Sequence, residues 1–175
     1  MNTNSLVSII KDDISSIFKI LERIHEEQIG NVSLLKESSF ADPILPFRYS
    51  LNSLSIALDE FIKSPDSQQA LKLVTLVLVV SAQPDAITAR FGTITTGVGI
   101  PQGIKQAASS VSAAWNSFVH NIKSVIQSIS STLWSLVSNY LNLKEWSVKG
   151  AIGTPAIASF FGITGSVEIQ FTFEK

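Results

Sequence analysis

The sequence has no cysteine in 175 residues, which excludes disulfides, thiolate zinc sites and cysteine nucleophiles. Charge is also scarce, because charged residues make up only 15% of the chain, against roughly 25% in typical soluble domains. The net charge is −1 and the pI is near 6.1, so the chain lacks the basic field with which proteins hold phosphate backbones. We therefore expect no nucleic-acid partner.

Long apolar runs are missing as well. The most apolar run, Leu71 to Ala82, contains Lys72 and is well short of the roughly 20 residues that cross a bilayer as a helix. Residues 1–5 contain no basic side chain, so no secretory signal is predicted. Without a confident transmembrane span, we expect a protein that is cytoplasmic or peripheral at a membrane.

The residues that are abundant are apolar or uncharged. Apolar residues make up 45% of the chain, and Ser, Asn, Gln and Thr hydrate much of the surface without repelling neighbouring copies. Such a surface permits self-association, so we expect a homo-oligomer. The length suits one domain with a hydrophobic core, and we predict a single helical domain over residues 1–175.

Apolar residues recur at spacings of three and four along the first half of the chain. They predict helices over about residues 5–28, 47–64 and 66–83. The third of these is rich in β-branched residues and a strand is the alternative, but its helix-forming residues and the lack of turn residues favour the helix. Residues 31–46 contain Pro43 and Pro46 and are predicted to form a connection.

Two segments show a β pattern. Alternation and glycines over 86–100 predict a weak strand or hairpin. Residues 147–175 are a Gly-rich segment ending in a strand, whose apolar side alternates with polar residues and consists of Val167, Ile169, Phe171 and Phe173. Because a lone strand cannot satisfy its backbone, it must pair with 146–157, with 86–94 or with another copy. We interpret it as a candidate assembly strand.

The longest element is a helix predicted from about Gln102 to Leu143, without proline and with Gly103 as its only glycine. Its polar face is made of Ser, Asn and Gln, and between Gln106 and Leu143 only Lys123 is charged. The fold class that follows is mainly α: a four-helix-type bundle with this long amphipathic helix at its centre and a small C-terminal β element.

An uncharged polar face opposite aromatic and aliphatic side chains is typical of helices that bind at lipid interfaces. The same pattern suits the core of a bundle or a partner interface. We expect a non-enzymatic, pore-forming or toxin-like protein that engages a lipid membrane and self-associates. The alternative is a structural or adaptor protein that assembles or binds a protein partner. The predicted contact residues are Val111, Trp115, Phe118, Ile122, Val125, Ile129, Leu133, Trp134, Leu136 and Tyr140.

The sequence contains few side chains suited to catalysis. His25 and His120 are the only histidines, and neither lies near a carboxylate pair at metal-ligand spacing. Adjacent carboxylates such as Asp12 and Asp13 diverge by about 100° on a helix and cannot easily share a proton or a metal. Gly97, Gly99 and Gly103 have the wrong spacing for a dinucleotide-binding loop. We therefore predict no enzymatic activity, no catalytic residue, no metal and no cofactor.

Overall fold

The computed structural model describes residues 2–38 and 42–141 with their side chains, and the backbone of residues 143–151 and 166–173. Five helices form most of this part of the chain, which confirms the mainly helical prediction. They are α1 (Thr3–Glu27), α2 (Ile29–Glu37), α3 (Leu45–Lys63), α4 (Ser67–Thr96) and α5 (Gln102–Leu141).

Helices α1 and α3 form where the apolar spacing predicts them. The Asn2 side chain caps α1 by accepting a hydrogen bond from the Asn4 backbone N–H at 3.2 Å. The inward stripe of α1 is completely buried, and it comprises Leu6, Val7, Ile10, Ile14, Ile17, Leu21 and Ile24. In α3 a proline in the first turn suits the helix start, because its missing N–H would have no intrahelical partner there.

The predicted connection over 31–46 needs a correction, because α2 occupies Ile29–Glu37. Helix α1 ends at Glu27, the backbone N–H of the C-cap residue Gln28 still donates to the Ile24 carbonyl at 3.1 Å, and the chain turns there into α2. Gly30 lies inside α2. The short helix forms because Val32 and Leu35, three residues apart, are both buried. Burial of this pair outweighs the low helix propensity of the glycine.

The predicted strand or hairpin over 86–100 is wrong, because α4 continues through Pro84 to Thr96. Downstream of the proline, Ile87, Phe91 and Ile94 lie at helical spacings of four and three, and all three are buried. Their packing holds the helix together beyond the proline, which cannot donate the backbone hydrogen bond expected at its position.

The four long helices form a closed ring in which each packs against two neighbours: α1 against α3 and α5, and α4 against α3 and α5. Hydrogen bonds between neighbours fix their directions. Gln28 of α1 meets Ser110 of α5, so the end of α1 lies beside the beginning of α5 and the two helices run antiparallel. The same reasoning applies to α3 and α4, where Glu60 meets Lys72. The ring is therefore an up-down-up-down bundle, and α2 packs against α5.

The long helix α5 forms one side of the bundle, which corrects the prediction that it lies at the centre. Its Ser and Asn face stays exposed to water. Helix α4 is buried on more sides than α5, because four successive residues, Val77 to Val80, are all buried. A helix that is apolar around its circumference is the one that a bundle encloses.

Beyond the helices the structure describes only the backbone of residues 143–151 and 166–173. Their side chains lie outside the described residues. The four residues of the candidate assembly strand are among them, so their role and the small C-terminal β element stay predictions.

Candidate functional site

Most of the predicted contact stripe of α5 lies in the core of the bundle. Six of its side chains are buried: Val111, Trp115, Ile122, Ile129, Leu133 and Leu136. Phe118, Val125 and Trp134 are partly buried, and Tyr140 is exposed at its edge. In the bundle α5 packs against α1, α2 and α4, and two residues of the stripe also meet aromatic rings of α3. Any lipid or partner that binds the stripe must therefore replace these helices.

Trp115 is the most constrained residue of the stripe. Its side chain is fully buried, and its ring meets Phe47 of α3 edge to face with 6.1 Å between centroids. The indole Nε1–H donates to Thr88 Oγ1 at 2.9 Å, and the Thr88 hydroxyl donates to the Pro84 carbonyl at 3.0 Å. Trp115 thus joins three of the four long helices, and its polar group is satisfied although it is buried.

Two other aromatic contacts cover the stripe along α5. The guanidinium of Arg23 in α1 lies over the Phe118 ring, 5.1 Å from its centroid. Near the other end of the bundle, Phe61 of α3 packs edge to face against Tyr140 with 5.2 Å between centroids. These contacts cover the partly exposed members of the stripe with side chains from α1 and α3.

Charge is distributed very unevenly between the helices. Helix α4 contains only Lys72, Asp85 and Arg90 in 30 residues, and α5 contains only Lys105 and Lys123 in 40 residues. Helix α1 alone carries eight charged side chains in 25 residues. We call α4 and α5, with their connecting turn, the hairpin. The hairpin combines the two longest helices of the fold with the lowest density of charge among its long helices.

Within the described part of the chain, α4 is the one helix long and apolar enough to cross a membrane, judged by length and composition alone. The mean hydropathy of its most apolar window is 1.5, and 56% of that window is buried. The sequence predicted the first part of this helix, over about residues 66–83, but ended it before Pro84 and so made it too short. A core helix of a water-soluble protein passes the same test, so this property alone identifies no membrane span.

The turn of the hairpin, residues 97–101, has no charged side chain, and Val98 at its tip is fully exposed. Gly99 has a φ of 78°, a conformation that glycine adopts without the steric penalty of a Cβ atom. At Gly97 a Cβ atom would come within 2.5 Å of the Ile100 side chain. The two glycines therefore allow a tight, apolar turn.

One ion pair joins the two helices of the hairpin. Lys123 Nζ lies 2.6 Å from Asp85 Oδ1, so the charge that interrupts the uncharged stretch of α5 is neutralised by α4. Both side chains remain about half exposed or more. Such surface pairs stabilise a fold by about 0 to 1 kcal/mol, and the pair contributes neutralisation more than stability.

A small buried polar cluster lies where α4 meets the start of α3. Gln83 Nε2 donates to Ser50 Oγ at 2.9 Å and to the Pro46 carbonyl at 3.4 Å. Gln83 Oε1 is buried without a protein hydrogen-bond partner. Pro84 follows directly, and its ring removes the N–H that would otherwise bond to the Val80 carbonyl. This region of the α3–α4 interface therefore contains one buried acceptor, Gln83 Oε1, without a protein partner, and such an acceptor lowers the stability of a folded bundle.

The remaining sequence candidates do not converge on a reaction centre. His25 lies on α1 and His120 on the exposed face of α5. Among the described residues, no group of three His, Asp or Glu side chains could hold a metal ion. The polar contacts of Gln83 and Thr88 could not be predicted, because a single Gln or Thr in an apolar segment forms no recognisable sequence pattern.

Comparison with known proteins gives no relative: no family model, no curated protein and no solved structure matches the chain.

Proposed function

We propose that this protein is a non-enzymatic, membrane-engaging helical protein of the pore-forming or toxin-like kind, and that the α4–α5 hairpin is the part that enters lipid. The charge difference between the hairpin and helices α1 to α3 carries this proposal. A charged side chain at the centre of a membrane helix costs about 2.5 to 3.5 kcal/mol on insertion scales. The hairpin avoids most of that cost, whereas α1 would incur it repeatedly.

Dimensions are compatible with insertion. Helices rise about 1.5 Å per residue, so α4 and α5 are about 45 and 60 Å long and exceed the hydrocarbon thickness of about 30 Å. Asp85 and Lys123 would enter together as a neutral pair. The Ser and Asn side chains of α5 would then face a neighbouring copy or a water-filled lumen, which favours insertion as a homo-oligomer.

Insertion requires the bundle to open. The buried stripe of α5 must exchange its contacts with α1 and α2 for contacts with lipid. Burial of one large apolar side chain stabilises the closed form by about 1.5 to 3 kcal/mol, and a lipid environment returns a similar free energy when the side chain leaves the protein core. The polar cluster around Gln83 places a buried acceptor without a protein partner at the α3–α4 interface, and opening the bundle would let water satisfy it.

The second candidate function is protein assembly without lipid, as a structural or adaptor protein. It is favoured by exposed apolar side chains on the outer face of α3, where Leu45, Tyr49 and Ile56 lie four and seven residues apart. Exposed apolar patches mark interaction sites more often than chance. Under this alternative the proposed C-terminal β element would supply a further contact, with its strand pairing between copies.

The two functions are separated by a matched pair of variants. Val98→Lys adds a charge at the fully exposed tip of the hairpin, and Ile56→Lys adds the same charge at a half-exposed site on α3. Neither change removes a buried contact. Each protein is mixed with phosphatidylcholine vesicles, and flotation, dye leakage and particle size are measured.

For the membrane function we expect Val98→Lys to lower leakage about 100-fold, which corresponds to one charge carried into hydrocarbon. Ile56→Lys should leak like the unmodified protein. The assembly function predicts the opposite: no flotation of any variant, and a smaller particle only for Ile56→Lys. Equal leakage from all three proteins would contradict entry through the hairpin.

A further inference from the structure

A cleft lies at the junction of α1, α2 and α3, outside the hairpin. Its volume is about 30 Å³, and side chains from all three helices line it. Three of them are basic: His25 from α1, Lys36 from α2 and Arg48 from α3. These residues are far apart in sequence, so their convergence is produced by the fold.

The basic groups of the cleft have no ionic partner in the part of the chain that the structure describes. The three ion pairs given for that part involve Lys11, Lys72 and Lys123. Asp42 also lines the cleft, but its Oδ1 accepts a hydrogen bond from the Ile44 backbone N–H at 2.9 Å. The lining of the cleft therefore combines one acidic side chain, which accepts the hydrogen bond of the Ile44 N–H, with one lysine, one arginine and one histidine.

The start of α3 adds to this positive potential. Ile44, Leu45 and Arg48 line the cleft at the N-terminal end of a helix of 19 residues. The N-terminal end of a helix carries a partial positive charge from its aligned peptide dipoles. For a bound anion, the partial positive charge of this helix end therefore adds to the charge of the Arg48 side chain.

We propose that this cleft binds a phosphate group. Arginine presents paired N–H donors that match phosphate oxygens, and lysine supplies a compact charge beside them. The cleft is small, so the phosphate group lies at its opening and is held by the side chains of Lys36 and Arg48. The phosphate comes from a phospholipid headgroup or from a free phosphate.

The position of the cleft favours the headgroup source. The Ser110 hydroxyl near the start of α5 donates a hydrogen bond to Gln28 Oε1 at the end of α1, at 2.7 Å. The cleft and the turn of the hairpin are consequently at the same end of the bundle. A headgroup held in the cleft would place Val98 next to the membrane, and this step rests on the proposed function.

The first experiment is a titration of the full chain with inorganic phosphate, followed by NMR shifts of the backbone amides. We expect saturable shifts at Lys36 and Arg48, with affinity reduced about tenfold or more in Arg48→Gln because a charge-assisted hydrogen bond is lost. Arg48→Lys should retain part of the affinity. The matched control is Lys19→Gln, an exposed cation of α1 outside the cleft, which should bind phosphate like the unmodified protein.

The second experiment distinguishes the sources. Flotation is compared on phosphatidylcholine vesicles with and without phosphatidic acid. Stronger flotation with phosphatidic acid, lost in Arg48→Gln, supports a headgroup ligand; saturable phosphate binding without this preference supports a free phosphate. If phosphate causes no saturable shift, or if Lys19→Gln weakens it as much as Arg48→Gln, the site is overturned. Flotation on pure phosphatidylcholine would leave the proposed function standing in that case.

Discussion

Helices α1 to α3 and the α4–α5 hairpin belong to one bundle but differ in the way they meet water. Helix α1 follows the ordinary plan of an amphipathic helix, with a buried apolar stripe opposite Lys, Glu and Asp side chains. The hairpin keeps its outer surface wet with uncharged Ser, Asn and Thr side chains. Both surfaces are compatible with water, but only the uncharged one can leave it at low cost.

This difference shows that the apolar pattern alone does not distinguish α1 from the hairpin, which we propose to enter lipid. The stripes of α1 and α5 are similar and both face the core. What separates the two regions is the character of the polar face and the length of the helices. The comparison therefore makes different predictions for substitutions in the shared core, at the α3–α4 interface and on the hairpin surface.

The largest effect is expected at Trp115, which holds the hairpin against α3. Trp115→Ala should lower the free energy of unfolding by about 3 to 5 kcal/mol, because a large buried side chain leaves a cavity. Urea unfolding followed by circular dichroism measures the change. Tyr140→Ala, at the exposed edge of the same stripe, is the control and should have a much smaller effect. Similar losses for the two variants would show that Trp115 is not a core residue of the stripe.

A smaller effect of opposite sign is expected at Gln83. Replacing the buried polar pair together, as Gln83→Leu with Ser50→Ala, should raise the free energy of unfolding by about 1 kcal/mol, because the unsatisfied Oε1 acceptor is removed. Chemical denaturation gives the stability, and vesicle leakage should become slower because the bundle opens less often. Ser50→Ala alone should be destabilising, since it leaves Gln83 with one fewer partner. Faster leakage from the stabilised double variant would contradict this role.

The smallest effect on folding is expected at the ion pair within the hairpin. Lys123→Gln should change the free energy of unfolding by less than about 1 kcal/mol, as is usual for exposed pairs. The change leaves Asp85 without its cation, and an unpaired carboxylate is costly to carry into lipid. We therefore expect a clear loss of dye leakage, although the free energy of unfolding changes little. Lys11→Gln, which breaks the pair with Asp59 between α1 and α3 and so lies outside the hairpin, is the comparison. Equal leakage from the two variants would show that leakage does not depend on neutralisation of Asp85 by Lys123.

Much of the bundle could be predicted from the sequence, since α1, α3 and α5 begin and end within a few residues of the predicted bounds. Local rules failed at Gly30 and Pro84, which normally end helices. In both places tertiary burial was stronger: Val32 and Leu35 hold α2, and Phe91 with its neighbours holds the second half of α4. Sequence spacing alone could have identified the latter, since Ile87, Phe91 and Ile94 follow the helical period.

The candidate site was predictable only in part. The stripe of α5 was identified by its spacing, but the sequence could not show whether protein or lipid covers it, because both select the same apolar residues. The cleft of His25, Lys36 and Arg48 was not predictable either. Its members come from three helices, and only the path of the chain through α2 brings them together.

The central claim is that the hairpin separates from α1 and α2 before it enters lipid, and cross-linking tests it most directly. The chain has no cysteine, so introduced pairs react alone. A bis-methanethiosulfonate reagent, from which each cysteine thiolate displaces a sulfinate to form a reducible disulfide, is applied to two double variants. Gln28→Cys with Ser110→Cys ties α1 to α5, and Asp85→Cys with Lys123→Cys ties α4 to α5 within the hairpin.

Dye leakage from phosphatidylcholine vesicles is measured before and after reduction, with each double variant compared to its own uncross-linked form. The account predicts that the cross-link between α1 and α5 abolishes leakage and that reduction restores it. The cross-link within the hairpin should leave leakage unchanged. Undiminished leakage from the protein with α1 tied to α5 would contradict the account, because the membrane would then be permeabilised by a bundle that stays closed.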